Sequence, residues 1–247
     1  MNTVFEQIQK RQSTRHFLAK EVTPEIKQAL IQSAFEAPTA GGMMYYSIID
    51  INHQELKDKL AVLCDNQPFI AKAPLVFIFL ADCQRWYDNF KVEGCQPRSP
   101  QEGDLLLACA DAIIAAQNTV VAAESFGLGS CYIGDILENC EQLRDLLALP
   151  DYVLPAAMLV YGYPDPTKIR EEKIARFDPQ YIVYENAYKR LSPEEFASMQ
   201  QSLLAKRKST STSHQDYIKR LCDRKYASDF SLEMSRSAKI YLKPFQE

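Results

Sequence analysis

From Asp104 to Phe126 the chain reads as one long helix, apolar on nearly all sides. A helix without a polar face belongs at the centre of a fold. Its longest apolar run, Ala112 to Ala123, is interrupted by Gln117, Asn118 and Thr119 and flanked by Asp111 and Glu124. That run is too short and too polar to span a bilayer, so a buried core helix is expected and no membrane partner. Two further apolar runs, Leu75–Leu80 and Val153–Tyr161, suit strands buried on both faces.

The remaining elements arrange themselves around these three. Thr23-Pro24-Glu25 supplies an N-cap and a proline at the first helical position of a helix that Pro38 ends. Thr39-Ala40-Gly41-Gly42 is a loop, Ser47–Ile51 a strand and Gln54–Leu63 a polar helix. Residues 84–103, with Gly94, Pro97, Pro100 and Gly103, read as an irregular, lid-like excursion. Ser130–Gly134 begins a short strand or turn, and Glu141–Leu147 is a helix stopped by Pro150. Beyond Pro164 the composition turns charged and irregular. Pro193–Lys206 then reads as a helix, Lys206–Ser213 as a basic loop, and His214–Tyr241 as one or two amphipathic helices. This tail is too poor in strands for a second domain and suits an arm packed on the core or on a second subunit.

A formal net charge of -4 gives no field that would draw in nucleic acid or an anionic membrane, so any anion site must be a local cluster. Seven cysteines are scattered without a CxxC pair or a metal spacing to His16, His53 or His214. They read as reduced thiols in a cytoplasm, most of them small buried hydrophobes. Residues Met1–Lys10 are mixed and polar, unlike a signal peptide.

Arg11, Ser13 and Arg15 alternate just before Phe17. On an extended backbone, residues two apart point to one side. Two guanidinium forks and a hydroxyl would therefore converge, and rigid guanidinium donors match the oxygens of a phosphate. The alternative for this triplet alone is a solvated basic edge.

Three later segments add to it: Gln67 ahead of a buried strand, the run Ala122–Gly134 (AAESFGLGSCYIG), and Val153-Leu154-Pro155 with Gly162-Tyr163-Pro164. In this order and spacing the set resembles the nitroreductase family of FMN-dependent, NAD(P)H-oxidising enzymes. Ile182–Tyr188 and the long tail resemble its oxygen-insensitive nitroreductase and flavin reductase branch. The resemblance implies an α+β, three-layer α/β/α fold with a mixed sheet and a C-terminal helical arm. It divides the chain into an FMN-binding domain at 1–190 and an arm at 191–247. It also implies an intertwined homodimer holding FMN at the subunit interface.

Residue by residue, the resemblance gives Arg11, Ser13 and Arg15 to the FMN phosphate and sugar end, with Arg176 closing on the phosphate. Lys173 is the cation nearest to a lysine the family often carries where this chain has Ile174. Thr39, Ala40 and Gly41 would lie along the flavin, and the Gln67 amide would read its polar edge. The backbone of Tyr132, Ile133 and Gly134 would pass close to flavin N5. Asp135 stands where several relatives have a second glycine, and its carboxylate is expected to turn away from the flavin. Lys206, Arg207 and Lys208 are candidates for the 2′-phosphate of NADPH, against a plain solvated turn. Gly127-x-Gly129 follows a helix and meets Tyr132 at the third glycine position, which excludes a dinucleotide fingerprint.

The implied activity is ping-pong hydride transfer through flavin N5, from NADPH or NADH to nitroaromatics, quinones or free flavin. No protein nucleophile or metal is needed. Reductive dehalogenation, flavin fragmentation and non-catalytic flavin storage or sensing are the alternatives.

Overall fold

A computed structural model describes residues 2–169, 173–207 and 213–246. They form two compact units, Met1–Ile169 with Glu233–Glu247, and Arg170–Leu232. The first unit begins with α1 (Thr3–Lys10), α2 (Pro24–Phe35), β1 (Tyr46–Asp50), α3 (Gln54–Leu63), α4 (Pro68–Lys72) and β2 (Leu75–Asp82). It continues with α5 (Gln84–Val92), α6 (Glu102–Ser125), β3 (Gly129–Ile133), α7 (Cys140–Leu147) and β4 (Val153–Gly162). The second unit carries α8 (Pro193–Lys206) and α9 (His214–Lys225). Of α10 (Asp229–Leu242), residues from Glu233 onward belong to the first.

The four strands pair antiparallel in the order β1-β2-β4-β3. Where the resemblance implies a mixed sheet, the parallel component among the described residues is a single bridge, Ser13 to Ser130. β2 is buried along its whole length, as its unbroken apolar run requires. Its alternation sorts the core into two sides. Leu75, Phe77 and Phe79 meet Leu30 and Ala34 of α2 and the alanines of α6. Val76, Ile78 and Leu80 meet Leu60 of α3, Ile70 of α4 and Leu143 of α7. Helices therefore cover both faces, giving the expected three layers.

α6 is only half what its composition suggests. It packs on α2, β2 and β4, but the buried stripe consists largely of Ala108, Ala112, Ala115, Ala116 and Ala123. Small side chains let helix and sheet approach closely. The bulky residues face outward instead: Leu106 is 72% exposed, and Leu107, Ile113 and Ile114 are also exposed. α1 packs beside α6 and buries none of its residues, leaving Val4, Phe5 and Ile8 open. An all-apolar helix was expected to be enclosed by its own chain; here one whole side of it is not.

The lid-like excursion at 84–103 is likewise corrected, because its first half is α5. Trp86 and Phe90 stack at 5.5 Å, and Tyr87 meets Tyr152 edge-on at 5.4 Å. Aromatic residues three and four apart share one helix face, and the glycines and prolines begin only after it.

Candidate functional site

Residues 13–18 form an extended strap laid across the ends of β3 and β4. Thr14 N–H donates to Ser130 O at 2.9 Å, and Leu18 N–H to Tyr163 O at 2.8 Å. Gly129 and Gly162, cross-strand partners, make room for it. A Cβ on Gly129 would stand 2.2 Å from the Thr14 hydroxyl oxygen, and one on Gly162 2.8 Å from the Phe17 ring. Glycine at both positions is thus what lets the strap lie down.

The strap carries Ser13 and Arg15 to the start of β3, and Arg11, at the end of α1, immediately precedes it. Burial raises the Cys131 thiol, while Arg15, a hydrogen bond with Ser13, and Arg11 oppose that rise. The Arg15 guanidinium lies 5.9 Å from the Phe69 ring centroid, which places it beside α4. Among the described residues neither guanidinium has a carboxylate partner. Two unneutralised forks converging on one edge make a seat for an anion.

Gln67 precedes Pro68 of α4 and does not cap the helix with its side chain. Its Nε2 donates to Cys64 O at 2.9 Å and to Asp135 Oδ2 at 2.6 Å. Tyr132, Ile133 and Gly134 end β3 and enter a 3-10 turn. The Tyr132 hydroxyl donates to Gln117 at 3.3 Å. A Cβ added at Gly134 would meet nothing within 4 Å, so the backbone there is open on that side. Arg11, Ser13, Arg15, Gln67 and Tyr132–Gly134 therefore belong to one neighbourhood.

Thr39, Ala40 and Gly41 do not join it. They precede β1, the opposite edge strand, roughly 14 Å away across three strand spacings. Gly41 and Gly42 adopt φ of 57° and 71°, a region glycine enters without strain. The Thr39 hydroxyl, expected to face a ligand, instead donates to Asp111 and accepts from Met44 N–H at 2.8 Å. Asp111 also accepts from Ala40 N–H at 3.0 Å and Tyr45 N–H at 3.1 Å. Trp86 donates to Met43 O at 2.6 Å. Sequence reading missed Asp111 as the organiser of this loop. The signal was a lone carboxylate at the head of an alanine-rich helix stripe, and it is only 3% exposed.

Residues 8–163 match the nitroreductase family. This chain belongs to the nitroreductase family. It is an oxidoreductase by that membership. The chain is 34% identical over 190 residues to the FMN reductase (NADPH) of Bacillus subtilis, covering 76% of this chain and 75% of that one. The oxygen-insensitive NADPH nitroreductase of Salmonella typhimurium is 31% identical over 205 residues, 82% of each chain. The solved NfrA1 nitroreductase of B. subtilis superposes with a TM-score of 0.76 at 28% identity, covering 94% of this chain and 98% of that one.

In this nitroreductase-family chain an acidic group sits next to Gln67. Glu138 is buried, and one of its oxygens has no hydrogen-bond partner. Burial first, then the charge of Asp135 and a hydrogen bond to it, push Glu138 up to about 7, with Asp65 and Glu233 adding to the rise. A raised carboxyl stabilises the fold while it is neutral. That contribution is complete below the ordinary carboxylate range and disappears as pH climbs through about 7. Glu138→Gln should therefore be more stable than the parent at pH 8.5, by on the order of 2 kcal/mol, and no better at pH 4.5. Urea titrations at the two pH values measure this difference, and equal gains at both would refute it.

The seven cysteines are all free. Cys64, Cys83, Cys131 and Cys140 are buried, as small hydrophobes should be; Cys95 and Cys222 are exposed.

Lys173 and Arg176 belong to the second unit. Arg176 donates to Ile174 O at 3.0 Å. Lys206 pairs with Asp178 at 2.5 Å, so its charge is already matched. Arg207 donates to the Tyr217 hydroxyl at 2.7 Å and lies over that ring. Lys208 lies outside the described residues.

Proposed function

We propose that this chain binds FMN and moves electrons from NADPH or NADH to small acceptors: nitroaromatics, quinones or free flavin. The observation that carries the reading is the pair of unneutralised guanidiniums, Arg11 and Arg15, beside the open backbone of Gly134 and the Gln67 amide. The donor set fits the coenzyme. Arg11, Ser13 and Arg15 suit its phosphate, Gln67 suits an edge of alternating N–H and C=O groups, and Gly134 permits close approach. Bound FMN supplies a two-electron store that accepts hydride from nicotinamide and passes it to the acceptor.

The protein's own part is to hold, orient and tune. Arg15 adds positive charge that favours the reduced, anionic coenzyme by preorganised electrostatics. Arg207 offers a fork to the 2′-phosphate of NADPH. The free thiols suit a reducing cytoplasm.

A second copy completes the site. Thr39–Gly42 and the guanidinium strap occupy opposite edges of one sheet, so a single chain cannot close both around one ring system. The outward Leu106, Leu107, Ile113 and Ile114 of α6, with Val4, Phe5 and Ile8 of α1, form the apolar face a homodimer would bury.

Purified protein should be yellow, sediment as a dimer, bleach anaerobically with NADPH or NADH, and recolour with a nitroaromatic or a quinone. Yellow protein inert to both nicotinamides would point to flavin storage instead. Colourless protein that stays colourless with added FMN would end the reading.

A further inference from the structure

The Asp135 carboxylate turns onto Gln67, and this fixes which way the Gln67 amide faces. Nε2 has two protons, and both are engaged, one by Cys64 O at 2.9 Å and the other by Asp135 Oδ2 at 2.6 Å. The reverse orientation would aim the amide oxygen at two acceptors and leave all three without a donor. The amide is therefore locked, and Oε1 takes no hydrogen bond from the described residues, so it is the polar atom left for a ligand. An unlocked glutamine offers a donor or an acceptor as required; this one offers an acceptor alone.

We infer that Asp135 is a positioning residue that makes Gln67 an obligate acceptor, selecting a ligand edge with an imide-type N–H, such as that of the flavin pyrimidine ring. The inference rests on the FMN reading above. Glu138 supports the device from behind. Burial first, then Asp135, push the Glu138 carboxyl up to about 7, and in its neutral form it has a proton to give to the Asp135 carboxylate. Asp65 and Glu233 also face this group and reinforce its neutral state. A fixed negative charge at this point makes the neighbourhood less hospitable to an anionic reduced ring. Asp135 therefore sharpens recognition while lowering the reduction potential.

The two effects separate by substitution. Asp135→Asn keeps an oxygen for Gln67 and removes the charge, whereas Asp135→Ala removes both. FMN affinity, read by recovery of flavin fluorescence on dilution, should weaken about five- to tenfold in Asp135→Ala and stay near wild type in Asp135→Asn. The midpoint potential of bound FMN should become more positive in both variants. Without flavin, the lock itself is visible in 15N NMR. The two side-chain amide protons of Gln67, assigned through Gln67→Glu, should exchange slowly in wild type and in Asp135→Asn, and fast in Asp135→Ala.

If wild type binds FMN and Asp135→Ala binds it equally well, or if Asp135→Asn loses as much as Asp135→Ala, the positioning role is overturned while the flavin reading stands. Wild type that takes up no FMN overturns both. Fast amide exchange in wild type overturns the lock whatever the affinities are.

Discussion

Asp111→Ala should lower stability by about 3 kcal/mol and release FMN. The side chain is buried and receives the Thr39 hydroxyl and the Ala40 and Tyr45 N–H groups. Removing it orphans three donors at once, and each unsatisfied buried donor costs about 1–3 kcal/mol. Relief of a desolvated carboxylate works the other way, but deletion of one partner from a buried charged network is usually strongly destabilising. A drop of about 9 °C in thermal midpoint is expected for a chain of this size. Asp111→Asn keeps one acceptor oxygen and should fall in between. Calorimetry of the three proteins decides it. A midpoint within 2 °C of wild type for the alanine variant would show that the loop is held instead by Trp86 on Met43 O and by Arg85, whose guanidinium donates to Met44 O and Tyr46 O.

Arg11→Ala with Arg15→Ala should weaken FMN binding by about a hundredfold or more, with little change in stability. Each fork contributes charge-assisted bonds of about 1.5–3 kcal/mol, and neither serves a carboxylate that would be left bare. The salt dependence of binding should shrink in parallel, because screened charge is what has been removed. Equilibrium dialysis against FMN at two ionic strengths measures both effects. Unchanged affinity would place the phosphate elsewhere.

The two variants together make a sharper experiment. If one site draws its guanidiniums from one copy and its Thr39 loop from the other, the mixed dimer regains one intact site. Co-refolding equal amounts of Asp111→Ala and the double arginine variant should then restore roughly a quarter of wild-type FMN occupancy. A site built within one chain would restore none.

Much of this was legible from residue order, for reasons that vary by element. α8 has the bounds expected of it, Pro193–Lys206, and the structure adds a capping box at its start, Ser192 and Glu195 each bonding the other's backbone N–H. β2 and β4 were legible because a strand covered on both faces has no polar alternation to confuse with a helix. α5 was hidden because the glycines and prolines after residue 93 draw attention from the aromatic face before them. The strap residues stood out through their alternation. Asp111 did not, since its partners lie 71 and 66 positions away and nothing local marks a long-range acceptor. The outward face of α6 was misjudged for a related reason. Hydrophobicity shows that a side chain avoids water, and says nothing of whether its own chain or another supplies the shelter.

The strap also sets an order of events. Ser13 pairs with Ser130 and Phe17 with Pro164, so each of these residues waits for a partner far along the chain. Contacts this distant in the chain form slowly. On the function proposed above, the guanidiniums are therefore in place for a phosphate only after these pairs have formed. Flavin would then be captured by a sheet that has already closed.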